Sequence, residues 1–357
     1  MRRGATSNPP SRHAAQHTEP CDDGWHQEPL PPLRTRVDPD ACRSVIAWNE
    51  SPDIPFDRSV NPYRGCEHGC VYCYARPGHA WLGLSPGLDF ETRLFAKADA
   101  AALLREELAA PSYRCAPIAL GAATDVYQPI ERGRRITRAV LELLAELRHP
   151  VTVVTKSALI ERDLDVLADL ARDRLVHVQL SVTTLRGDLA RRLEPRAASP
   201  HRRLEAIARL REAAIPVGVL VAPVVPVLTD SELETVLAAA RDAGAGAAGY
   251  TLLRLPLEVA GLFRAWLEEH AAGHHETGNT GCHCVRSSGG AHGSGSWRRA
   301  SFNTRSPSWC GGNHTSVREG RGGNKNATQL TAASYRLLRP AERNSTQDNS
   351  PVEGECR

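Results

Sequence analysis

Short apolar runs alternate with amphipathic stretches between residues 59 and 270, and this alternation marks the folded body of the chain. Short runs rich in Val, Ile, Leu and Ala are typical of buried strands. The pattern predicts six strands, at 59–61, 118–122, 151–155, 176–181, 217–221 and 249–253.

Four stretches between these strands have apolar residues at helical spacing: 138–148, 162–171, 202–213 and 231–242. We expect the last helix to be capped by the polar residues 229–231. Strands that alternate with helices imply a parallel sheet, either an open doubly wound sheet or an incomplete barrel. Periodicity alone does not distinguish these two architectures.

The two ends of the chain differ from this body. Residues 1–40 lack hydrophobic periodicity and are interpreted as a flexible or loosely attached leader, which leaves 41–270 as the core domain. Residues 271–357 are dominated by Gly, Ser, Asn, Arg and His, and we expect disorder there. The abrupt change after His270 also resembles out-of-frame translation of a GC-rich reading frame. Cys282 and Cys284 lie beside histidines in this tail, but no predicted frame supports them as a metal site.

Composition leaves most function classes open. The net charge of +3 arises from 44 basic and 41 acidic residues, which is not the balance of a strongly basic nucleic-acid-binding protein. No apolar run approaches the roughly 20 residues that cross a bilayer, so we expect a cytoplasmic protein without membrane contact. Three of the ten cysteines lie within positions 66–73, and such clustering favours metal binding over disulfides.

The cysteine-rich stretch is the strongest chemical signal in the sequence. Cys66, Cys70 and Cys73 can wrap one face of an iron–sulfur cubane, and three thiolates leave one of its four irons free of protein ligands. Gly65 and Gly69 suit tight turns beside these ligands. A zinc site completed by a remote ligand such as His68, or a set of reduced structural cysteines, is the alternative.

The stretch NPYRGCEHGCVYCYAR at 61–76 resembles the hallmark of the radical S-adenosylmethionine (radical SAM) superfamily, in which an aromatic residue, here Tyr72, precedes the third cysteine. The resemblance covers roughly residues 59–270. It implies an α/β fold, a partial (β/α)6 barrel, with a 4Fe-4S cluster held by Cys66, Cys70 and Cys73. It further implies reductive cleavage of S-adenosylmethionine to a 5′-deoxyadenosyl radical, with electrons from an external donor such as flavodoxin or ferredoxin.

Together with TDVYQPIE at 124–131, the motif resembles the branch of DNA-repair-photolyase-like proteins related to spore photoproduct lyase. This resemblance implies a lyase-like enzyme whose substrate is unknown, with nucleic acid as a candidate. Spore photoproduct lyase returns hydrogen to its product from a cysteine just after its second strand, whereas residues 121–124 contain no thiol here. An iron–sulfur electron-transfer or sensor protein without cofactor cleavage is the alternative function.

The resemblance also suggests which residues contact S-adenosylmethionine. Tyr72 would pack against the adenine, and Thr124 and Asp125 stand where many relatives carry a Gly-Gly-Glu motif that holds the methionine amino group. Ser181 would bond the ribose or the carboxylate, and Arg196 would pair with the carboxylate. The alternatives are a core aromatic residue, ordinary turn residues and a surface ion pair. No residue is assigned a catalytic role.

Further polar or rigid groups follow other strands. Lys156 could neutralise the cofactor carboxylate, and Glu194 could meet its ammonium group. Pro223 and Pro226 are expected to end the fifth strand and shape a loop near the adenine. The arginines at 132, 134, 135 and 138 could follow a phosphate backbone, although a solvated helix start is the better explanation of them.

Overall fold

The structure is a computed structural model that describes residues 3–13, 33–51, 54, 56–270 and the backbone of 333–336. Most of the tail predicted at 271–357, including Cys282 and Cys284, lies outside the described residues, as do 14–32 of the predicted leader. No helix in the described part of the chain is both long and apolar enough to cross a membrane.

Eleven strands are described. They are β1 (Arg36–Pro39), β2 (Ile46–Trp48), β3 (Arg58–Val60), β4 (Tyr63–Arg64), β5 (Arg93–Ala96), β6 (Ile118–Leu120), β7 (Val151–Thr155), β8 (Val176–Ser181), β9 (Val217–Val224), β10 (Ala247–Leu252) and β11 (Ala333–Arg336).

Nine α-helices are described with them. They are α1 (Asp89–Thr92), α2 (Ala100–Leu108), α3 (Glu131–Arg134), α4 (Ile136–Glu146), α5 (Leu164–Arg172), α6 (Gly187–Leu193), α7 (Pro200–Glu212), α8 (Leu233–Asp242) and α9 (Glu258–His270). Short 3₁₀ helices at Arg76–Leu82, Ala158–Asp163 and Asp230–Glu232 complete the described elements.

The main sheet has the order β11-β10-β9-β8-β7-β6-β3-β2. Its six inner strands, from β3 to β10, pair in parallel, while β2 and β11 add antiparallel edges. Within the described ranges no pairing joins β3 to β10, so the sheet does not close. The six parallel strands lie side by side in chain order, without the reversal of order that a doubly wound sheet has. The predicted partial (β/α)6 barrel is therefore confirmed, with each of the six predicted strands present.

Helices cover the outer face of this sheet because their apolar stripes match its buried strand residues. On α4, Val140, Leu141 and Leu144 are fully buried, and they join Leu120 and Val153 from the sheet in one continuous core. Parallel strands covered in this way present their carboxyl ends at one edge, and the loops that leave this edge carry the candidate site.

Two local expectations were wrong. Strand β9 continues through Pro223 to Val224, because its pairing with β8 ends at Leu220 and the missing N–H of Pro223 interrupts no β8 ladder bond. Thr229 caps no helix: its hydroxyl accepts a hydrogen bond from Val225 N at 2.8 Å, and no side chain caps α8. The threonine therefore closes the loop that follows β9.

Both described segments of the predicted leader, residues 3–13 and 33–40, contact the body. Strand β1 pairs in parallel with β5 in a small second sheet, which β4 completes. Residues 3–13 lie against residues 69–91, beside the cysteines.

Candidate iron–sulfur and cofactor site

The three cysteines lie on one loop that leaves the carboxyl end of β3, the first parallel strand of the barrel. Cys66 and Cys70 are buried and Cys73 is half-buried. The loop folds back on itself through a hydrogen bond from Cys73 N to Cys70 O at 3.2 Å. It is held to its surroundings by Cys66 N, which donates to Phe90 O at 2.9 Å. We call residues 65–73 the cysteine loop.

Two glycines shape the cysteine loop, as the sequence predicts. Gly65 and Gly69 have φ values of 76° and 69°, in the left-handed region that glycine tolerates without strain. A Cβ atom on Gly65 would also lie 2.6 Å from Leu94 Cδ2, and one on Gly69 would lie 2.7 Å from Glu91 Oε2. Both turns therefore require glycine.

The segment 124–131 hydrogen-bonds to the backbone of the cysteine loop. The Gln128 side chain is fully buried; its amide nitrogen donates to Gly65 O at 3.1 Å, and its oxygen accepts from Glu67 N at 2.9 Å. These two bonds bracket Cys66. Thr124 Oγ1 donates to the Tyr63 carbonyl at 2.8 Å. The two sequence motifs thus form one hydrogen-bonded unit.

Tyr63 adds a third connection between the two motifs. Its buried hydroxyl hydrogen-bonds to Glu131, which also accepts from Thr137 N at 3.1 Å and pairs with Arg162 at 2.7 Å. Burial raises the pKa of Tyr63 well above its usual value, and the neighbouring Glu131 raises it further. The phenol is therefore a hydrogen-bond donor that fixes the start of the cysteine loop.

Asp125 is enclosed beside the cysteine loop. Its carboxylate accepts from Thr155 Oγ1 and from Lys156 N, both at 2.7 Å, and lies 3.2 Å from His68 Nδ1 without the alignment of a hydrogen bond. Burial favours the neutral acid, but the adjacent His68 imidazole and the hydrogen bonds from Thr155 and Lys156 outweigh it and lower the pKa of Asp125 to about 2. Asp125 is therefore a carboxylate already engaged by the protein.

A second buried carboxylate, Glu194, organises the edge of the site after β8. Glu194 pairs with Arg203 of α7, and the two side chains are 1% exposed. Its other oxygen lies 3.1 Å from Lys156 Nζ and accepts from Thr183 Oγ1 at 2.7 Å. Burial alone would raise the pKa of Glu194, but Arg203 and then Lys156 hold it well below its usual range. This ionic network fixes side chains that follow β7 and β8, together with Arg203 of α7, at one edge.

Tyr72 and Ser181 belong to the same network. The Tyr72 hydroxyl hydrogen-bonds to Glu194, and its ring lies 5.7 Å from Lys156 Nζ. Lys156 Nζ donates to Ser181 Oγ at 2.6 Å and to Ala222 O at 3.0 Å. The structure thus brings Tyr72 and Ser181 together around Lys156, at the carboxyl ends of the strands.

Arg196 lies on the other side of the cysteine loop. Its Nη2 pairs with Glu67 Oε1 at 2.9 Å, and its side chain remains 15% exposed. Its backbone nitrogen donates to His68 O at 3.2 Å. Arg196 is therefore adjacent to the loop residues that follow Cys66, as a cofactor-binding residue would need to be.

The donor set fits an iron–sulfur cluster better than a zinc ion. No three Cys, His, Asp or Glu side chains within the described ranges are arranged around a single metal ion, and His68 Nδ1 faces Asp125. Burial raises the pKa of the Cys66, Cys70 and Cys73 thiols, so they are neutral donors until a thiophilic metal displaces their protons. Three soft ligands on one loop are the set that a cubane with one open iron requires.

A family model of the radical SAM superfamily matches residues 60–240 of this chain. The match covers the cysteine loop and four of the six parallel strands, β6 to β9, in full. The chain belongs to the radical SAM superfamily and is an enzyme of that class.

Similar proteins occur in bacteria and archaea. Uncharacterised proteins of Mycobacterium tuberculosis and Mycobacterium bovis are 38% identical over 231 residues, which cover 63% of this chain and 67% of theirs. An uncharacterised protein of Methanocaldococcus jannaschii is 27% identical over 173 residues, which cover 48% of this chain and 62% of that protein.

Among solved structures, mutants of spore photoproduct lyase superpose with a TM-score of 0.49 at 17% identity, and the alignment covers 66% of each chain. One such lyase structure contains bound AdoMet and a dinucleoside spore photoproduct.

Sequence analysis missed Gln128 and Arg203 as parts of the site. Arg203 had a detectable signal, because it shares the buried face of α7 with Ala206, Ile207 and Leu210, where an arginine requires a buried partner. Gln128 had no such signal, because nothing in its local sequence indicates that its amide hydrogen-bonds to a loop residue 63 positions away.

Proposed function

We propose that this chain binds a 4Fe-4S cluster through Cys66, Cys70 and Cys73 and uses it to cleave S-adenosylmethionine reductively. The observation that carries the proposal is the cysteine loop itself: three cysteines on one buried, glycine-shaped loop at the carboxyl edge of a partial barrel. When bound, the cluster supplies the electron that splits the carbon–sulfur bond of the cofactor to give a 5′-deoxyadenosyl radical.

The residues around the cysteine loop support binding of the cofactor's methionine part. Arg196 offers a partly exposed guanidinium to the carboxylate. We assign the ammonium group to Asp125, an ionised carboxylate whose oxygens also accept hydrogen bonds from Thr155 and Lys156. Thr124 lies on the loop that follows β6, Ser181 is the last residue of β8, and Tyr72 presents its ring beside Lys156. We assign these five residues, Tyr72, Thr124, Asp125, Ser181 and Arg196, to cofactor binding.

We propose a lyase-like reaction in the cytoplasm, with electrons supplied by a flavodoxin or ferredoxin. Nucleic acid is the substrate class that we favour. Three arginines of the α3 region, Arg132, Arg134 and Arg135, are exposed just beyond the segment that holds the cysteine loop. Exposed guanidinium groups at this position suit a phosphate backbone. Binding of a labelled DNA oligonucleotide that weakens on replacing these arginines by Ala would support this substrate class; unchanged or absent binding would contradict it.

The deciding experiment is anaerobic reconstitution with iron and sulfide, reduction with dithionite, and chromatographic detection of 5′-deoxyadenosine from S-adenosylmethionine. We expect about four irons per chain and 5′-deoxyadenosine in the wild type. The Cys70→Ala variant should lose both, and Cys115→Ala, an exposed cysteine outside the cysteine loop, should lose neither. A cluster that forms without cofactor cleavage would favour the electron-transfer alternative.

A further inference from the structure

Residues 3–13, which we call the strap, begin on a buried carboxylate behind the cysteine loop. Gly4 N and Ala5 N donate to the two Glu91 carboxylate oxygens at 2.9 and 2.8 Å. Arg3 Nη1 donates to the Glu91 carbonyl at 2.9 Å. Glu91 thus receives three hydrogen bonds from the first described residues of the chain.

Arg76 connects Glu91 to Cys70, one of the proposed metal ligands. The two side chains are 0% exposed and pair at 2.5 Å. Arg76 Nε donates to the carbonyl of Cys70 at 2.9 Å, and its Nη1 donates to Gly87 O at 2.9 Å. A buried carboxylate that lost two N–H donors would attract water or shift toward other donors, and Arg76 would shift with it.

Arg3 links the strap to the other side of the cysteine loop. Its Nη2 donates to Thr35 Oγ1 at 3.1 Å, and the Thr35 hydroxyl donates to Glu67. Glu67 follows Cys66 directly and pairs with Arg196. The strap is therefore connected to both flanks of the loop.

The fit at the start of the strap depends on one glycine. A Cβ atom on Gly4 would lie 1.6 Å from the carbonyl oxygen of Gly69, which is backbone and cannot move aside alone. Gly69 lies in the cysteine loop, directly before Cys70. Even alanine at position 4 must lift the strap away from the cysteine loop.

The far end of the strap is anchored separately. Asn8 exchanges hydrogen bonds with Asp89 at 3.0 and 3.1 Å, and Ser11 Oγ donates to Ala80 O at 2.9 Å. Arg12 pairs with Glu258 of α9 at 2.7 Å, and the His13 ring stacks on Trp81 at 4.2 Å. The strap therefore runs from the cysteine loop to the last helix of the barrel.

We infer that the strap is a positioning element of the iron–sulfur site, which holds the cysteine loop in its ligating shape through Glu91 and Arg76. This inference rests on the proposed function for the identity of the metal group. The strap supplies no ligand; it completes the hydrogen bonds of the carboxylate that orients Arg76 and, through it, the carbonyl of Cys70. Displacing the strap should loosen the loop without unfolding the barrel.

The test compares full-length Gly4→Ala with Gly78→Ala, because a Cβ atom on Gly78 meets nothing within 4 Å. In the metal-free chains, hydrogen exchange of the Val71 amide, which donates to Leu193 O, reports loop order without any cofactor. In the reconstituted chains, the rate of iron loss to a chelator reports cluster retention. We expect Gly4→Ala to raise the rate of hydrogen exchange and the rate of iron loss about tenfold each, because one or two buried hydrogen bonds are lost. Gly78→Ala should match wild type in both rates.

A second variant removes the far anchors instead, with Asn8, Ser11 and Arg12 all replaced by Ala, and should speed both processes in the same direction. Wild-type rates in Gly4→Ala would overturn the inference. If wild type assembles no cluster, the proposed function fails, and hydrogen exchange in the metal-free chains still decides whether the strap orders the cysteine loop.

Discussion

Gln128 shows how one side chain can position a cysteine that we propose as a metal ligand, Cys66. Both of its amide atoms bond to backbone atoms on either side of Cys66, and the side chain is fully buried. A buried amide with both ends satisfied is rigid, because every alternative rotamer would leave polar atoms unpaired. Gln128 therefore limits the freedom of Cys66 before any cluster binds.

Replacing Gln128 by Leu should leave Gly65 O and Glu67 N without partners, at a cost of about 1–3 kcal/mol for each buried group. We expect a lower free energy of unfolding and less iron per chain after reconstitution, measured by urea titration and iron analysis. Gln179→Leu, at a half-buried position on β8, is the matched control. Equal iron content and stability in the two variants would show that Gln128 does not hold the loop.

Glu194 stabilises the folded chain in a pH-dependent way. Its folded pKa lies below the usual value of 4.5, so its contribution is complete at higher pH and is lost as pH falls from that value toward the lower folded pKa. Between the folded pKa and pH 4.5, Glu194 is protonated in the unfolded chain but still ionised in the folded chain. Each pH unit then removes about 1.4 kcal/mol of stability.

In Glu194→Gln the buried Arg203 keeps its charge without a carboxylate, which should cost about 3–5 kcal/mol at pH 7. The variant lacks the titrating group, so the difference in unfolding free energy from wild type should shrink between pH 4.5 and 2.5. Urea titrations at pH 7, 4.5 and 2.5 measure this difference. A difference that stays constant over this range would mean that Glu194 is not held ionised by its partners.

The start of helix α7 determines where Arg203 lies in the site. Ser199 precedes the helix in an extended conformation, its Oγ accepts from Arg202 N at 3.3 Å, and Pro200 follows as the first helical residue. These are standard signals for a helix start. They fix where α7 begins and hence where Arg203 enters the core.

Ser199→Ala should therefore destabilise the chain by about 1 kcal/mol through loss of the cap. Ser231→Ala should have little effect, because Ser231 is exposed in the 3₁₀ turn before α8 and provides no cap there. Thermal unfolding of the two variants measures the difference. If both lost the same stability, the assignment of Ser199 as the helix cap would be wrong.

At the scale of the whole molecule, the cysteine loop packs in an apolar cluster separate from the main barrel core. This smaller cluster joins the loop to α6, α9 and the loop after β9, and its buried members are Cys70, Val71, Tyr72, Leu189, Leu193, Val225, Phe263 and Trp266. Trp266 also donates from Nε1 to Arg192 O at 3.1 Å. Stability of the barrel and order of the cysteine loop can thus be perturbed separately.

Leu141→Ala in the main core should cost about 2–5 kcal/mol of stability, and Trp266→Ala in the smaller cluster about 3–5 kcal/mol. Only Trp266→Ala should also reduce iron content, because its ring packs with the residues that flank Cys70. Iron analysis on samples that circular dichroism shows to be folded measures this difference. Equal iron loss in both variants would mean that the two clusters are not separable.

The sequence by itself determined the six parallel strands, the four helices predicted between them, and the three cysteines that we propose as ligands. Strand and helix periodicity is a local property, and the cysteines lie on one short loop, so neither needs knowledge of distant contacts. The choice between an open sheet and a barrel did not follow from periodicity; the family resemblance indicated it, and the strand pairing confirmed it.

Only the tertiary structure decided which groups support that loop. Gln128 and Gly65 are 63 residues apart and Gly4 and Glu91 are 87 apart, and no local pattern encodes either hydrogen bond. The sequence held a signal for Arg203, as an arginine on an apolar helix face, but none for its pairing with Glu194. Such contacts depend on how the elements pack, because a buried polar atom takes whichever partner the fold brings within reach.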